Sequence, residues 1–208
     1  MLRIFALLAA LCAATSTSFS QSDPVHLLAR ADRNHLLLKT DPETAMTTAV
    51  KLGKEAAEAN APEAELKSIQ TECGYHRLAN DFGKMMDAAK RLDDKAAAYK
   101  FPLYRLIAKR HLFESYLFTG LPDEALRELR AGEQVMKRLR GTDSLHVIER
   151  SNFYVAFSNY HLLQNDYENQ LKYIRLSGDE LKKLPDGYHN RRLLNVHYSN
   201  LASSFNNN

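Results

Sequence analysis

The side chains most capable of chemistry in this 208-residue chain are eight histidines and two cysteines. No two histidines lie three or four residues apart, the spacing that places two metal ligands on one face of a helix. They occupy positions His26, His35, His76, His111, His146, His161, His189 and His197. The sequence therefore contains no zinc-binding signature, and we expect these residues to pack in the fold or lie on its surface. We predict no metal and no cofactor.

Cys73 lies in the middle of the chain, away from the amino-terminal Cys12. A nucleophilic thiol needs a neighbouring base and a polarised, accessible setting, and the sequence around Cys73 offers neither. The chain also has no Gly-rich phosphate loop and no Gly-x-Ser-x-Gly elbow. We interpret Cys73 as a small buried residue and expect the protein not to be an enzyme.

The first twenty residues are typical of a secretory signal peptide. Arg3 precedes an uncharged apolar run over residues 4–14, and small polar residues follow it. Ser18 and Ser20 fit the pattern that signal peptidase accepts, which predicts cleavage before Gln21. We therefore expect a signal peptide at residues 1–20 and an exported domain at residues 21–208, located in the periplasm or secreted.

Two other interpretations of this segment are weaker. A membrane-spanning helix needs roughly 20 apolar residues, and this run is about half as long. A lipoprotein site before Cys12 needs a small residue where Leu11 stands. We expect contact with a membrane only through the signal peptide or through a downstream anchor.

Charge gives no reason to expect a nucleic-acid partner, and we predict that this segment binds none. The formal net charge is +3 and becomes +2 without Arg3, which is close to neutral. The basic cluster at residues 137–140 (KRLR) falls at the end of a predicted helix, where cations favour the helix dipole. We interpret this cluster as part of a helix terminus.

Composition and punctuation predict an all-α protein. Ala, Leu, Lys, Glu and Arg dominate the mature chain, and no stretch alternates long enough to make a strand. Proline favours the first turn of a helix, and prolines recur at regular intervals. Pro42, Pro62, Pro102 and Pro122 mark four helix starts, and Phe82 after Asp81 marks a fifth. Helices with starts about 20 residues apart must be joined by short turns, which predicts antiparallel hairpins.

Four predicted turns share a sequence pattern and recur at intervals of 40, 40 and 45 residues. They are residues 40–45 (TDPETA), 80–85 (NDFGKM), 120–125 (GLPDEA) and 165–170 (NDYENQ). Each ends at an anchor position, occupied in turn by Ala45, Met85, Ala125 and Gln170. Recurrence at such a period is the signature of a solenoid of stacked hairpins.

The pattern resembles the tetratricopeptide (TPR) turn Gly-Asp-Tyr-x-x-Ala, with the closest match at residues 165–167. The resemblance implies a right-handed, TPR-like solenoid of antiparallel helix hairpins, here with repeats of about 40 residues where about 34 is usual. The small residue that the family places twelve positions before the anchor is matched by Cys73 and Ser158, but not by Phe113. Residues 198–205 resemble the first helix of an incomplete fifth repeat, with Ala202 at the small position. A helical bundle without repeats is the alternative.

The family resemblance also implies where a ligand would bind. First helices line the concave side of such solenoids, where extended peptides lie. The predicted lining is polar, with three cations against one carboxylate, and suits a protein or peptide ligand with acidic character. Its residues are Lys67, Gln70, Arg77, Arg110, Glu114, Asn152, Asn159, Ser199 and Ser203.

We interpret the chain as a non-catalytic protein- or peptide-binding repeat module. Our first hypothesis is the exported sensing or scaffolding part of a longer bacterial signal-transduction protein with a histidine kinase or DNA-binding output. It rests on the incomplete last repeat. The alternative is a stand-alone periplasmic or secreted adaptor for an envelope protein assembly, and the gene sequence beyond codon 208 would distinguish them.

Overall fold

The computed structural model describes residues 23–187, together with Leu194 and His197. Over residues 23–187 the protein is a packed array of eight α-helices and contains no strand. The predicted all-α class is confirmed. The predicted signal peptide, Ala202 and the groove residues Ser199 and Ser203 lie outside the described residues. No helix in the described part is long and apolar enough to cross a membrane.

Helix starts agree with the prolines. The helices are α1 (Pro24–Leu36, continued by a 3₁₀ turn, Leu37–Lys39), α2 (Pro42–Glu58), α3 (Pro62–Leu78), α4 (Phe82–Ala98), α5 (Pro102–Phe118), α6 (Pro122–Arg138), α7 (Ser144–Leu163) and α8 (Tyr167–Leu181). The five starts predicted at 42, 62, 82, 102 and 122 are confirmed as the first residues of α2 to α6.

Aspartates fix the beginning of five helices. Their carboxylates accept hydrogen bonds from backbone N–H groups of the first turn, which otherwise have no partner inside the helix. The capping residues are Asp23, Asp41, Asp81, Asp143 and Asp166. Where a helix begins with proline, the missing N–H removes one of these unsatisfied donors. Local sequence is therefore sufficient to set most helix starts.

Five helices end in the same turn. Each turn contains one residue in the left-handed region, at Asn60 (φ 49°), Asn80 (φ 55°), Lys100 (φ 61°), Gly120 (φ 79°) and Asn165 (φ 55°). The next N–H then donates to a carbonyl five residues back, as from Asp81 N to His76 O at 2.9 Å. This is the Schellman arrangement, in which Gly and Asn are the favoured left-handed residues. Four of the five turns have such a residue, and Lys100 is the exception.

Lys100 is expected to lower the stability of its turn, because it has a side chain at a positive φ. Lys100 is exposed, so replacement by Gly removes the steric cost of a side chain at positive φ without removing packing. We expect Lys100→Gly to raise the free energy of unfolding by about 0.5–1 kcal/mol, since greater freedom of glycine in the unfolded state offsets part of the gain.

The matched control is Gly120→Ala, where an added Cβ would meet nothing within 4 Å. It should lower stability by about 1 kcal/mol through backbone conformation alone. Urea unfolding of both variants measures the two changes. A destabilising Lys100→Gly would show that the left-handed turn is not what limits this position.

Helix contacts divide the array into two sets. α1, α3, α5 and α7 contact one another in succession, and each also packs against its neighbours in the chain. Within residues 23–187, no two of α2, α4, α6 and α8 are in contact. The odd-numbered helices therefore form one continuous row.

The core lies along this row. The larger apolar cluster runs through α3 to α7 and includes Leu66, Ile107 and Phe153, all almost completely buried. A smaller cluster joins α1, α2 and the start of α3. The four anchor residues of the predicted turns are buried, and so are Cys73, Phe113 and Ser158.

Two ion pairs occupy equivalent places with opposite polarity. Glu65 and Lys95 pair at 2.8 Å, and they lie 17 residues before and 13 residues after Phe82, the start of α4. Arg150 and Glu180 pair at 2.9 Å, with the same offsets from Tyr167, the start of α8. The acid is on the odd-numbered helix in the first pair and on the even-numbered helix in the second.

Candidate binding groove

A groove of about 460 Å³ crosses the row of odd-numbered helices. We call it the polar groove. Its lining comes from α1 and the 3₁₀ turn (His35, Leu38, Lys39), from α3 (Gln70, Gly74, Arg77, Leu78), from α5 (Arg110, His111) and from α7 (Glu149). Four successive elements of the row thus contribute to one surface.

The wall formed by α1 and the 3₁₀ turn lies close to α3. A Cβ added at Gly74 would be 2.7 Å from Leu38 Cδ1, so glycine permits this approach. His35 Nδ1 lies 3.0 Å from Thr71 Oγ1, and that hydroxyl donates its only hydrogen to the Lys67 carbonyl. The hydroxyl must therefore accept from His35, which assigns the proton to Nδ1.

Alternating arginines and glutamates connect α3, α5 and α7. Arg77 Nε lies 2.9 Å from Glu114 Oε2, and Arg110 lies 3.6 Å from Glu114 Oε1. Arg110 also donates to Glu149 Oε2 at 3.2 Å. Burial opposes the charge of Arg110, but attraction to Glu149 and Glu114 outweighs burial and raises the pKa of the guanidinium. Arg110 therefore keeps its charge at the centre of this arginine–glutamate chain.

Both histidines of the groove are neutral at neutral pH. Burial lowers the pKa of His35 to about 4, assisted by the positive charge of Lys67 and opposed by Asp32. Burial also lowers the pKa of His111 well below its ordinary value, with further contributions from Arg110 and Arg77. The neighbouring cations make protonation of either imidazole costly.

Several polar atoms under the groove surface have unused hydrogen-bonding capacity. Within the described part of the chain, Gln70 Oε1, His111 Nδ1 and Arg110 Nε are buried without a hydrogen-bond partner. Each such group costs about 1–3 kcal/mol when it stays unsatisfied. Polar groups gathered in a concave surface are what a site needs to orient a ligand.

The structure brings together four of the nine predicted groove residues. Gln70, Arg77 and Arg110 line the groove, and Glu114 joins the two arginines. Asn152 is half-buried and Asn159 is exposed on α7, outside the lining. Lys67 is buried and pairs with Asp32 at 3.3 Å, so it presents no free charge.

Two features of the predicted surface need correction. Arg110 is one of the three cations of the predicted lining, but its side chain is only 14% accessible because Glu114 and Glu149 enclose it. The predicted charge balance also omitted Glu149, which lies one helical turn before Asn152 on α7. The groove therefore contains its own counter-ions.

Sequence reasoning missed the contribution of α1. His35, Leu38 and Lys39 entered no predicted site, because the first helix lacks a recognisable small position from which to count. Leu38 lies seven residues before the anchor Ala45, as Leu78 does before Met85. That equal offset was the signal available in the sequence.

Cys73 lies in the core and not in the groove. Its side chain is completely buried, and burial, with a smaller contribution from Glu72, raises the pKa of the thiol to about 12. The thiolate is therefore not formed at neutral pH. Among the residues that the structure describes, no three His, Cys, Asp or Glu side chains come together as a metal site would require.

Comparison with known proteins adds no assignment. No family model matches the chain, and no curated protein matches it.

Proposed function

We propose that the chain is a non-catalytic TPR-like module that binds a protein or peptide in the polar groove. Its fold would be a right-handed solenoid of antiparallel helix hairpins with repeats of about 40 residues. The observation that supports this most is that α1, α3, α5 and α7 pack in succession and line the groove together. Stacked hairpins produce such a row, with contacts only between neighbours.

The short connections support the hairpin arrangement. Three residues separate α2 from α3, and the same number separates each following pair up to α6. Each connection contains the same left-handed turn, which supports the same change of chain direction at every connection. Short loops of this length favour antiparallel neighbours.

The available cations favour an acidic segment as ligand. Arg110 is enclosed by glutamates, but the side chain of Arg77 is 55% exposed. Lys39 is exposed and forms no ion pair with another residue in the range 23–187. A carboxylate of the ligand could therefore contact Lys39 and the outer side of Arg77 without breaking the ion pairs of the arginine–glutamate chain.

In its biological setting, we propose that this module is the exported sensing or scaffolding part of a longer bacterial signal-transduction protein. Export is supported by Arg3 and the apolar run at residues 4–14. A sensing role is supported by a groove that spans four elements of one helix row. The output domain would be a histidine kinase or a DNA-binding domain.

Peptide arrays test the binding proposal directly. The chain should retain extended peptides rich in Asp and Glu in preference to Lys- and Arg-rich peptides of equal length. Lys39→Glu combined with Arg77→Gln should weaken retention about tenfold or more, because it removes both exposed cations. Arg110 is left unchanged in this test, since its replacement would also disturb buried carboxylates.

The matched control combines Arg138→Glu with Arg140→Gln, at exposed positions around the end of α6. This variant makes the same change in charge outside the groove and should bind as the unaltered chain does. Equal loss of binding in both variants, or a preference for basic peptides, would refute the proposed surface. Thermal unfolding of both variants confirms that each remains folded.

A further inference from the structure

A second cleft lies where α6, α7 and α8 meet, and it shares no residue with the polar groove. Its volume is about 280 Å³. The body of the cleft is apolar and aromatic, formed by Met136, Tyr154, Phe157, Tyr173 and Leu176. We call it the aromatic cleft.

The preceding junction, between α4, α5 and α6, shows how this position is filled elsewhere in the protein. Lys109 on α5 extends between two acids, with Nζ 2.8 Å from Asp93 on α4 and 2.8 Å from Glu128 on α6. Arg105 adds a second cation to Asp93 at 3.1 Å. An ion network therefore closes that junction.

Two of the three positions in this lysine–acid network have aromatic residues at the aromatic cleft. Lys109 lies 13 residues before Pro122, the start of α6, and Tyr154 lies 13 before Tyr167, the start of α8. Glu128 and Tyr173 are both six residues after those starts. Tyr154 and Tyr173 thus stand where the preceding junction has a lysine and its acid. The preceding junction is filled by an ion network, whereas the aromatic cleft is lined by aromatic rings.

Aromatic packing holds this surface in place. The rings of Phe157 and Tyr173 stack with centroids 4.7 Å apart and planes 11° apart. Tyr154 and Tyr173 are 6.4 Å apart and tilted by 31°. Burial raises the pKa of both tyrosines, so both phenols stay neutral at physiological pH. A flat apolar group could extend such a stack.

The charges around the cleft favour a negative ligand. Glu133, at the position equivalent to Asp93, pairs with Lys137 on its own helix at 3.2 Å. Arg150 pairs with Glu180 and donates a hydrogen bond to the Gly141 carbonyl. Lys172 is exposed, lies 5.4 Å from the centre of the Tyr173 ring and pairs with no acid in the described part of the chain. One cation at the rim is therefore available.

We propose that the aromatic cleft binds a small aromatic carboxylate, with its ring against Tyr173 and Tyr154 and its carboxylate on Lys172. The volume is just below the range of about 300–1,000 Å³ typical of ligand pockets, which fits one fused ring system and not a peptide. The proposal does not depend on the function of the polar groove, because the two sites have separate linings.

The proposal is tested by titrating the full chain with 2-naphthoate and measuring the heat of binding by isothermal calorimetry. 2-Naphthoate should bind saturably and about tenfold or more tightly than 2-naphthylmethylammonium, which has the same rings and the opposite charge. Lys172→Glu should weaken 2-naphthoate binding about tenfold or more. Lys90→Glu, the same change at an exposed position on α4, should not alter it.

A second variant tests the aromatic surface. Tyr154→Lys recreates the lysine of the preceding junction next to Glu133, so it should keep its helical spectrum and lose 2-naphthoate binding. Absence of saturable binding to the unaltered chain would overturn the proposal. The proposal would also be overturned if the ammonium probe bound more tightly than 2-naphthoate. Unchanged 2-naphthoate binding by Lys172→Glu or by a folded Tyr154→Lys would overturn it too, as would an equal loss of binding in Lys90→Glu. Because Lys172 is exposed, its variant remains informative if Tyr154→Lys does not fold.

Discussion

Replacement of Arg110 by methionine is expected to lower the free energy of unfolding by about 3–5 kcal/mol. The substitution keeps an apolar stem of similar length and removes the guanidinium that lies between Glu114 and Glu149. The side chain of Glu149 is only 8% accessible, so it would remain as a buried carboxylate without its cation. Urea unfolding at pH 7 measures the loss.

Two controls separate burial from charge. Combining Arg110→Met with Glu149→Leu should recover much of the stability, because it removes the unpaired carboxylate as well. Arg127→Met removes the cation from an exposed pair with Glu124 and should cost less than about 1 kcal/mol. A cost for Arg110→Met as small as that for Arg127→Met would show that solvent screens the arginine–glutamate chain.

The stability of the protein is expected to fall by about 2 kcal/mol between pH 7 and pH 5 through His35 alone. The ordinary pKa of histidine is 6.5, and burial lowers the pKa of His35 in the folded protein to about 4. Between these values the unfolded chain binds more protons than the folded one. The contribution of His35 is therefore complete above about pH 6.5 and is lost as the pH falls towards 4.

His35→Gln isolates this contribution, because the carboxylates and His111 titrate in both proteins. Over the same pH interval, the free energy of unfolding of the variant should fall by about 2 kcal/mol less than that of the unaltered chain. Nuclear magnetic resonance of the imidazole gives an independent measure of its pKa in the folded state. An imidazole that titrates near 6.5, or equal pH dependence in both proteins, would contradict the burial of this side chain.

Helix starts could be predicted from the sequence because they depend on local chemistry. Proline at the first helical position and aspartate before it act within a few residues, so their regular spacing predicts α2 to α6 directly. The interval changes after Pro122, because five residues separate α6 from α7 and α7 is 20 residues long. The turn pattern at residues 165–167 still predicts the start of α8, because its capping residue Asp166 directly precedes the helix.

The groove could be predicted only in part because charge pairing depends on helix contacts. Counting along α3 and α5 identified Gln70, Arg77 and Arg110 correctly as neighbours. It could not show that Glu149 on α7 approaches Arg110, since residues 39 apart meet only through helix packing. The same limit applies to Lys67, whose partner Asp32 lies on α1. Exposure of a charged residue is thus harder to predict than its position.

The reversed polarity of Glu65–Lys95 and Arg150–Glu180 has a consequence for folding errors. Helices of similar length can pair with the wrong partner while a chain is still folding. If α3 met α8, Glu65 would lie opposite Glu180, and if α7 met α4, Arg150 would lie opposite Lys95. Correct neighbours attract and exchanged neighbours would repel, so the charges of the two pairs favour correct over exchanged helix pairing.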